Sequence, residues 1–495
     1  MCGFVGIVDG KNCSRDVVLS LQALQHRGQD SAGLGTINHG QFPLVKRLGL
    51  VHQGFGAAEI EQTPGNICIG HVRYPTVGAG VLRDAQPFFF RQPGVLMAHN
   101  GNLTNLREMH DELAENSVHL MSSCDVEPVL CIFSLELMKR RRRDHRLEDA
   151  VEAMKTTMEH IQGAYSLVVA LVLDGQETLL ALRDPQGIRP AVWGQLPDKQ
   201  GWMVASESVA MDVLSVKRCG DVAPGELMVF RAGSEPIRHQ LKTASPSPCI
   251  FEYIYFARPD SHMNGKSVYS KRLAMGQALA DAWRAKGLEA DVVIPIPDTA
   301  RPAAAAVAER LHLPNREGFI KNRYTGRTFI MPKADQRADA LKLKLNPIRS
   351  EFAGRRVLVV DDSIVRGATL KHTIEIIRAQ GPTQVHLAIY SPPVLHPCYY
   401  GIDISTKEEL AAPRFLPEGL AATDPGALQQ IEQAFASRLG LDSLTYLPLD
   451  GLRAAFDGPA CAACFDGLYP APLDEKQRSW IAEDRRKSDQ RTLGI

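Results

Sequence analysis

Residues 355–377, RRVLVVDDSIVRGATLKHTIEII, constrain the fold of this chain more than any other stretch. The apolar run 357–360 reads as a buried parallel strand that ends at two carboxylates, Asp361 and Asp362. Ser363 to Thr369 then form a turn containing Gly367, and a helix follows. Acids at the C-terminal end of such a strand face the crevice where open α/β sheets bind ligands. The turn's backbone N–H groups and the helix N-terminus make a phosphate cradle. Paired acids beside that cradle would hold a sugar diol and a magnesium ion, which prefers oxygen ligands. The bland alternative, a solvated Asp-Asp turn, does not account for the apolar run before it or the glycine-bearing turn after it.

The neighbouring sequence repeats this strand–helix rhythm. Leu273 to Ala285 reads as a helix, DVVIPIP as a buried strand, RPAAAAVAERL as a helix and QVHLAIY as a further strand. Alternation of this kind implies a parallel sheet with covering helices. The first 235 residues or so read differently. Short apolar strands at Val5 to Val8, Ile67 to Val72, Val95 to His99, Ser166 to Leu173 and Thr178 to Leu182 are mixed with two helical stretches, Ser14 to His26 and Val126 through Glu159. SPSP at Ser245 to Pro248 marks the boundary. The expected division is a domain over 2–240, a second over 250–470, and a polar surface tail over 471–495, in keeping with a chain of 495 residues.

Charge excludes some partners. The 56 basic and 56 acidic residues cancel, so no global field points to nucleic acid or a membrane surface. The basic run Lys139 to Arg143 reads as a solvated helix face rather than a polyanion patch. No apolar stretch approaches the roughly 20 residues that span a bilayer, and the start lacks a secretory pattern, so the cytoplasm is expected. In that compartment ten cysteines are thiols, catalysts or metal ligands rather than disulfides.

Cys2 directly follows the initiator methionine. With Met1 removed, it carries a free α-amine that titrates near neutral pH and serves as its own general base. A cysteine so equipped attacks an amide carbonyl to form a thioester. In AHNGNLTN, the Asn100 amide and the Gly101 N–H converge as an oxyanion hole would require, although Asn-Gly alone is equally a hairpin turn. Arg73 suits a substrate carboxylate.

Cys2-Gly, QHRG, HVRYPT, AHNGNLTN, RDPQGIRP and ASES, in that order over about 230 residues, resemble the class II glutamine amidotransferases. The resemblance implies an α+β N-terminal-nucleophile hydrolase fold, with stacked antiparallel sheets between helices. It implies that Cys2 attacks the glutamine amide, that Asn100 and Gly101 stabilise the oxyanion, and that Arg73, Thr76 and Asp125 bind glutamine. Around Asp125 the chain reads CDVE, with Cys124 and Val126 where the family usually shows hydroxyls.

The 355–377 stretch resembles the phosphoribosyltransferase fingerprint, and two more segments fit it. IPIPDTARP (294–302) is similar to the pyrophosphate loop, and KNRYTGRTFIMP (321–332) to the mobile loop that closes over the substrate. Many family members carry glycine where this chain has Ala300. The resemblance implies an α/β type I phosphoribosyltransferase fold. It also implies a phosphoribosylpyrophosphate site of Lys321, Tyr324, Arg327, Asp361, Asp362, Ser363, Arg366, Gly367 and Thr369, and magnesium at Thr299, Asp361 and Asp362.

The two halves together, with CIFEYIYFARPDS and YGIDISTKEEL, resemble the glutamine phosphoribosylpyrophosphate amidotransferase family over about 465 residues. The implied activity releases ammonia from glutamine at Cys2 and channels it to phosphoribosylpyrophosphate, giving 5-phosphoribosylamine, the first committed step of purine synthesis. Purine nucleotides as feedback inhibitors and a homotetramer are implied as well. CAAC at Cys461 and Cys464 is by itself ambiguous between zinc, iron–sulfur and redox roles. The resemblance points to the subgroup with a [4Fe–4S] cluster held by Cys249, Cys398, Cys461 and Cys464. The remaining cysteines have no evident partners. Another class II amidotransferase would lack the VVDDSIVRGAT stretch, and a non-catalytic sensor would not need Cys2, Asn100, Asp361 and Asp362 intact.

Overall fold

The computed structural model describes residues 2–74, 81–140, 144–322, 345–404, 406–416 and 425–493. In the first half, two antiparallel sheets lie face to face. One has seven strands in the order Lys217–Asp221, Val192–Gln195, Trp202–Ala205, Gly3–Val8, Ile67–Arg73, Ser31–Ile37 and Leu44–Leu48. The other has six, ordered Ile237–Gln240, Glu226–Phe230, Gln176–Arg183, Gly163–Leu173, Val95–Leu103 and Phe88–Phe90.

Strand periodicity sorts the side chains between layers. Along Gly3–Val8, Phe4 and Val8 point into the core between the sheets, where they meet Leu96, Val168 and Leu179. Val5 and Ile7 point the other way, onto the helix Ser14–Ala23 through Val17 and Leu21. The outer face of the six-stranded sheet is covered by the helices Val126–Met138 and Leu147–His160. Sheets buried on both faces explain why these strands read as continuous apolar runs. The single helical stretch expected over 126–159 is thus two helices, parted where the basic run begins; Arg141 to Arg143 lie outside the described residues.

The second half is an α/β unit. Its four strands, Val292–Pro295, Arg356–Asp361, Gln384–Ile389 and Ser443–Tyr446, are all parallel and lie in sequence order. Leu358, Val360 and Ala388 face the helices Val268–Arg284 and Arg301–Leu311. Val357, Val359 and Leu387 face Ala368–Arg378 and Pro425–Leu439. The last segment, read from sequence as a polar tail, is helical over Glu475–Leu493. Its buried Arg485 donates to the Cys398 carbonyl at 2.7 Å, and Arg107 of the first half pairs with Asp484 at 2.7 Å. Among the described residues no helix is long and apolar enough to cross a membrane.

Candidate active sites

Cys2 sits at the start of the central strand of the seven-stranded sheet, buried, with Gly3 opposite Val72. Its thiol donates to the Tyr74 carbonyl at 3.6 Å. Asn100 lies on the adjoining sheet, fully buried, and neither its side-chain nitrogen nor its oxygen has a hydrogen-bond partner. Burying an amide unpaired costs about 1–3 kcal/mol, so this group is held in reserve for something that arrives. Gly101 follows in the same strand; a Cβ there would lie 2.2 Å from the Ala164 carbonyl, so no other residue fits.

Arg73 ends the strand Ile67–Arg73, buried, with its Nη1 3.7 Å from Asp84 Oδ2. Ser123 in turn holds Asp84 through its N–H at 3.1 Å and its hydroxyl at 3.0 Å. Asp125 accepts the Leu103 N–H at 3.2 Å and lies 3.2 Å from His99 Nε2. Burial would raise this carboxyl, but His99, the Leu103 N–H and Arg73 together hold it below its ordinary range. The two serines just before Cys124 act elsewhere, the Ser122 hydroxyl donating to Glu127 and the Ser123 hydroxyl to Asp84. Cys124 is buried, and desolvation pushes its thiol up to about 12, so it stays neutral beside Asp125. Thr76 lies outside the described residues.

The second site opens where the parallel strands end. Asp361 closes its strand, and its Oδ1 accepts the Asp362 N–H at 2.9 Å. The Ser363 hydroxyl donates to Asp362 Oδ1 at 2.5 Å, and Thr299 also hydrogen-bonds Asp362. Desolvation, reinforced by the Asp362 charge, drives Asp361 well above the usual carboxylate range. Desolvation likewise raises Asp362, to about 6, against the lowering effect of Ser363 and Arg272. Two crowded carboxylates with raised affinity for protons form a site short of positive charge. Oxygen donors from Asp361, Asp362 and Thr299 suit magnesium chemically.

Gly367 turns the chain at φ +77° into the helix Ala368–Arg378. Thr369 lies in that helix, its side chain outside the described residues. Lys321 reaches the pyrophosphate-type loop, its Nζ 2.9 Å from Asp298 Oδ2. Ala300 adopts φ −78°, ψ −10°, a conformation that asks for no glycine. Arg366 is half-exposed and engages Glu409 at 2.8 Å. Tyr324 and Arg327 lie outside the described residues.

Cys249, Cys398, Cys461 and Cys464 are all buried free thiols within one apolar core. The Cys249 and Cys461 backbones form a parallel bridge, and the Cys464 carbonyl accepts the Leu395 and His396 N–H groups, three residues before Cys398. Burial raises the Cys249 thiol to about 11 and Cys461 and Cys464 well above their ordinary value. Among the described residues no group of three or more His, Cys, Asp or Glu side chains is closed around a single ion. A four-iron cube spreads its thiolates more widely than one ion does, and four buried free thiols suit it. Of the cysteines without an evident partner in sequence, Cys13 and Cys68 meet at 3.0 Å as buried thiols.

Several residues escaped the motif reading. Arg27, inside QHRG, is fully buried; its Nη1 reaches the Cys2 carbonyl at 3.4 Å, and its other nitrogens engage Glu207 and Glu252. The Tyr74 hydroxyl donates to Asp403 at 3.0 Å and Asn102 Nδ2 to the Tyr399 carbonyl at 2.9 Å. A Cβ on Gly401, at φ +103°, would stand 3.1 Å from the Gly101 backbone. Segment 399–403 of the second half therefore rests on the strand of the first that bears Asn100 and Gly101. The signal was present, since Glu207 falls in ASES and Glu252 in CIFEYIYF, but neither motif names its partner.

Residues 73–213 match the glutamine amidotransferase domain model, and 270–391 the phosphoribosyl transferase domain model. The amidophosphoribosyltransferase of Methanothermobacter thermautotrophicus is 39% identical over 480 residues, 95% of each chain. That of Escherichia coli is 43% identical over 421 residues, 83% of each. The solved structure of the Bacillus subtilis glutamine phosphoribosylpyrophosphate amidotransferase, in complex with ADP and GMP, superposes with a TM-score of 0.82 at 32% identity. It covers 96% of this chain and 98% of that one. With both halves matched in order and nearly the whole length shared, this chain belongs to the amidophosphoribosyltransferase family.

Proposed function

We propose that this chain hydrolyses glutamine at Cys2 and delivers the ammonia to phosphoribosylpyrophosphate, forming 5-phosphoribosylamine, glutamate and pyrophosphate. The observation that carries the reading is the seating of segment 399–403 directly on the strand that bears Asn100 and Gly101. Two chemistries on one chain need a common wall if the product of one is the nucleophile of the other.

With Met1 removed, the Cys2 amine takes the thiol proton as sulfur attacks the glutamine side-chain carbonyl. The Asn100 amide and the Gly101 N–H receive the oxyanion; each such donor contributes about 3 kcal/mol to lowering the barrier. The amine returns the proton to the leaving nitrogen, ammonia departs, and water cleaves the thioester to give glutamate. Arg73, Thr76 and Asp125 would bind the carboxylate and amine of glutamine. Ammonia in open water is protonated near neutral pH, so a closed passage keeps it nucleophilic. At the second site it attacks the ribose carbon as pyrophosphate leaves. Ser363, Arg366, Gly367 and Thr369 would cradle the 5-phosphate, with Lys321, Tyr324 and Arg327 on the pyrophosphate side. Magnesium, held by Thr299, Asp361 and Asp362, would supply charge neutralisation for the departing pyrophosphate.

The cysteine quartet fits a [4Fe–4S] cluster of structural rather than catalytic role, tying the domain junction to the C-terminal segment. Domains over 2–240 and 250–470, a surface segment over 471–495, and a cytoplasmic homotetramer complete the reading. Feedback by purine nucleotides is supported by the nucleotides bound to the Bacillus subtilis relative. The test uses anaerobically purified enzyme with glutamine and phosphoribosylpyrophosphate. Expected is pyrophosphate release matched by glutamate. Glutamate release indifferent to phosphoribosylpyrophosphate, with no pyrophosphate formed, overturns the reading.

A further inference from the structure

A line of fully buried charges joins the nucleophile to the cysteine quartet. Arg27, Arg189, Glu207 and Glu252 are each at most 1% exposed. Arg27 Nη2 donates to Glu252 Oε2 at 2.6 Å, and its Nη1 lies 3.5 Å from Oε1. Arg189 Nη1 donates to the same Glu252 Oε1 at 3.3 Å. One carboxylate thus bridges two guanidiniums. The first reaches the Cys2 carbonyl; the second directly follows Ile188, whose carbonyl accepts the Cys249 N–H at 3.2 Å.

The bridge is mechanical as well as electrostatic. Glu252 is three residues beyond Cys249 and opens the π-helical turn Glu252–Phe256, which the Ala257 N–H closes on the Glu252 carbonyl at 2.9 Å. Ile250 N–H donates to the Cys461 carbonyl at 3.2 Å, and Cys461 N–H to the Pro248 carbonyl at 2.9 Å. Any adjustment of the Cys249–Cys461 bridge must therefore move the Glu252 carboxylate. With water excluded, that carboxylate has no solvent to replace a displaced guanidinium.

We propose that Glu252 is a positioning residue that couples the state of the cysteine quartet to the reactivity of Cys2. It holds Arg27 under the Cys2 carbonyl, which fixes how the first residue presents its thiol and amine. It shares Arg189 with the quartet. Loading the quartet with a cluster would change the charge that Arg189 faces. The division of Arg189 between Glu252 and the quartet changes with loading, and so does the grip of Glu252 on Arg27. This inference rests on the cluster and nucleophile assignments proposed above.

The experiment measures how fast a glutamine-like chloroketone alkylates Cys2, read by mass, in full-length enzyme with and without iron. Iron content and absorbance near ~400 nm report loading, and ammonia-dependent synthesis reports an intact fold. In the wild type, iron removal should slow alkylation about 10-fold, the size of a strong coupling between contacting buried groups. Glu252→Gln should show slowed alkylation already when loaded, with ammonia-dependent synthesis within about twofold of wild type and no further loss on iron removal. Wild-type alkylation indifferent to iron overturns the coupling, as does the same fold-loss on iron removal in wild type and Glu252→Gln. If Glu252→Gln loses ammonia-dependent synthesis, Arg189→Lys replaces it, and a wild-type-sized response to iron in that variant also overturns the coupling. Reconstituted enzyme that binds no iron sinks the cluster assignment itself, and Cys2 that resists alkylation in every state sinks the nucleophile.

Discussion

The two sites differ in how each is kept ready. Around Cys2 several buried charges are paired in advance. Arg27 answers Glu207 and Glu252, Arg73 lies against Asp84, Asp125 lies 3.2 Å from His99 Nε2, and the Asn100 amide waits unpartnered. At the strand ends of the second half the reverse holds: Asp361 and Asp362 crowd two buried carboxyls together, and Arg272 and Ser363 offset only part of the cost. The first site sets an unpartnered amide among charges already paired. The second, with its two crowded carboxyls, suits a cation chemically. The lesson is that preorganisation has two forms: charges paired in advance, or charge left unpaired so that the ligand completes it.

The sharpest way to break this comparison is Cys2→Ala. Glutamine use should fall by on the order of 10³-fold or more, since the thiol that forms the thioester is removed. Ammonia-dependent synthesis should persist within about twofold if the halves divide the labour as proposed. Equal loss of both, measured as pyrophosphate release from glutamine and from ammonium salt, would mean that the sites are not separable.

Next in size is Asn100→Ala, which removes one oxyanion donor and should lower kcat for glutamine hydrolysis by about 10²–10³-fold with little change in KM. Because the amide is unpartnered in the resting site, removing it also relieves a buried polar group. The fold should not be weakened beyond the small cavity left. A loss in KM with kcat preserved would place Asn100 in substrate binding instead.

Asp361→Asn tests the opposite character of the second site. Desolvation and Asp362 hold the Asp361 carboxyl above its unfolded value, and Asp362 stands at about 6. Between about pH 4 and 6 the ligand-free fold therefore binds more protons than the unfolded chain. The sign follows: ligand-free stability falls as pH rises through that window. Asp361→Asn should raise Tm at neutral pH by about 2–4 °C, while synthesis from ammonia drops by roughly 10²-fold. A variant both less stable and inactive would show the pair to be structurally satisfied rather than strained.

The sequence made the chemistry of each half readable because that chemistry is local. VLVVDDSIVRG holds its strand, acids and turn within a dozen positions, and AHNGN places both oxyanion donors side by side. What joins the parts is not local. Arg27 meets Glu207 across 180 positions and Glu252 across 225, and Tyr74 meets Asp403 across 329. No periodicity or spacing rule spans such distances, since each pairing is set by how sheets stack and where a strand ends. The CDVE departure shows the same limit at short range. CDVE lacks the usual hydroxyls, and nothing in its sequence shows that Ser123 just before it holds Asp84, which lies against Arg73.

The smallest expected effect lies at the seam between the two sites. The half-buried hydrogen bond from Tyr74 to Asp403 ties the end of the Arg73 strand to segment 399–403. A hydrogen bond of this kind contributes about 1 kcal/mol, enough for roughly a fivefold shift between a closed and an open seam. Tyr74→Phe keeps the ring and removes only the hydroxyl, so neither set of reacting groups is touched. Rates of glutamine hydrolysis and of ammonia-dependent synthesis should each stay within about twofold of wild type. What should change is their coupling. The ratio of glutamate to pyrophosphate released, near unity when every ammonia crosses, should rise as ammonia escapes through the loosened seam. Asp403→Asn, which keeps an acceptor for the Tyr74 hydroxyl, should leave the ratio closer to unity than Tyr74→Phe does. A ratio unmoved by Tyr74→Phe would mean that the backbone contact of Gly401 with Gly101 seals the seam unaided.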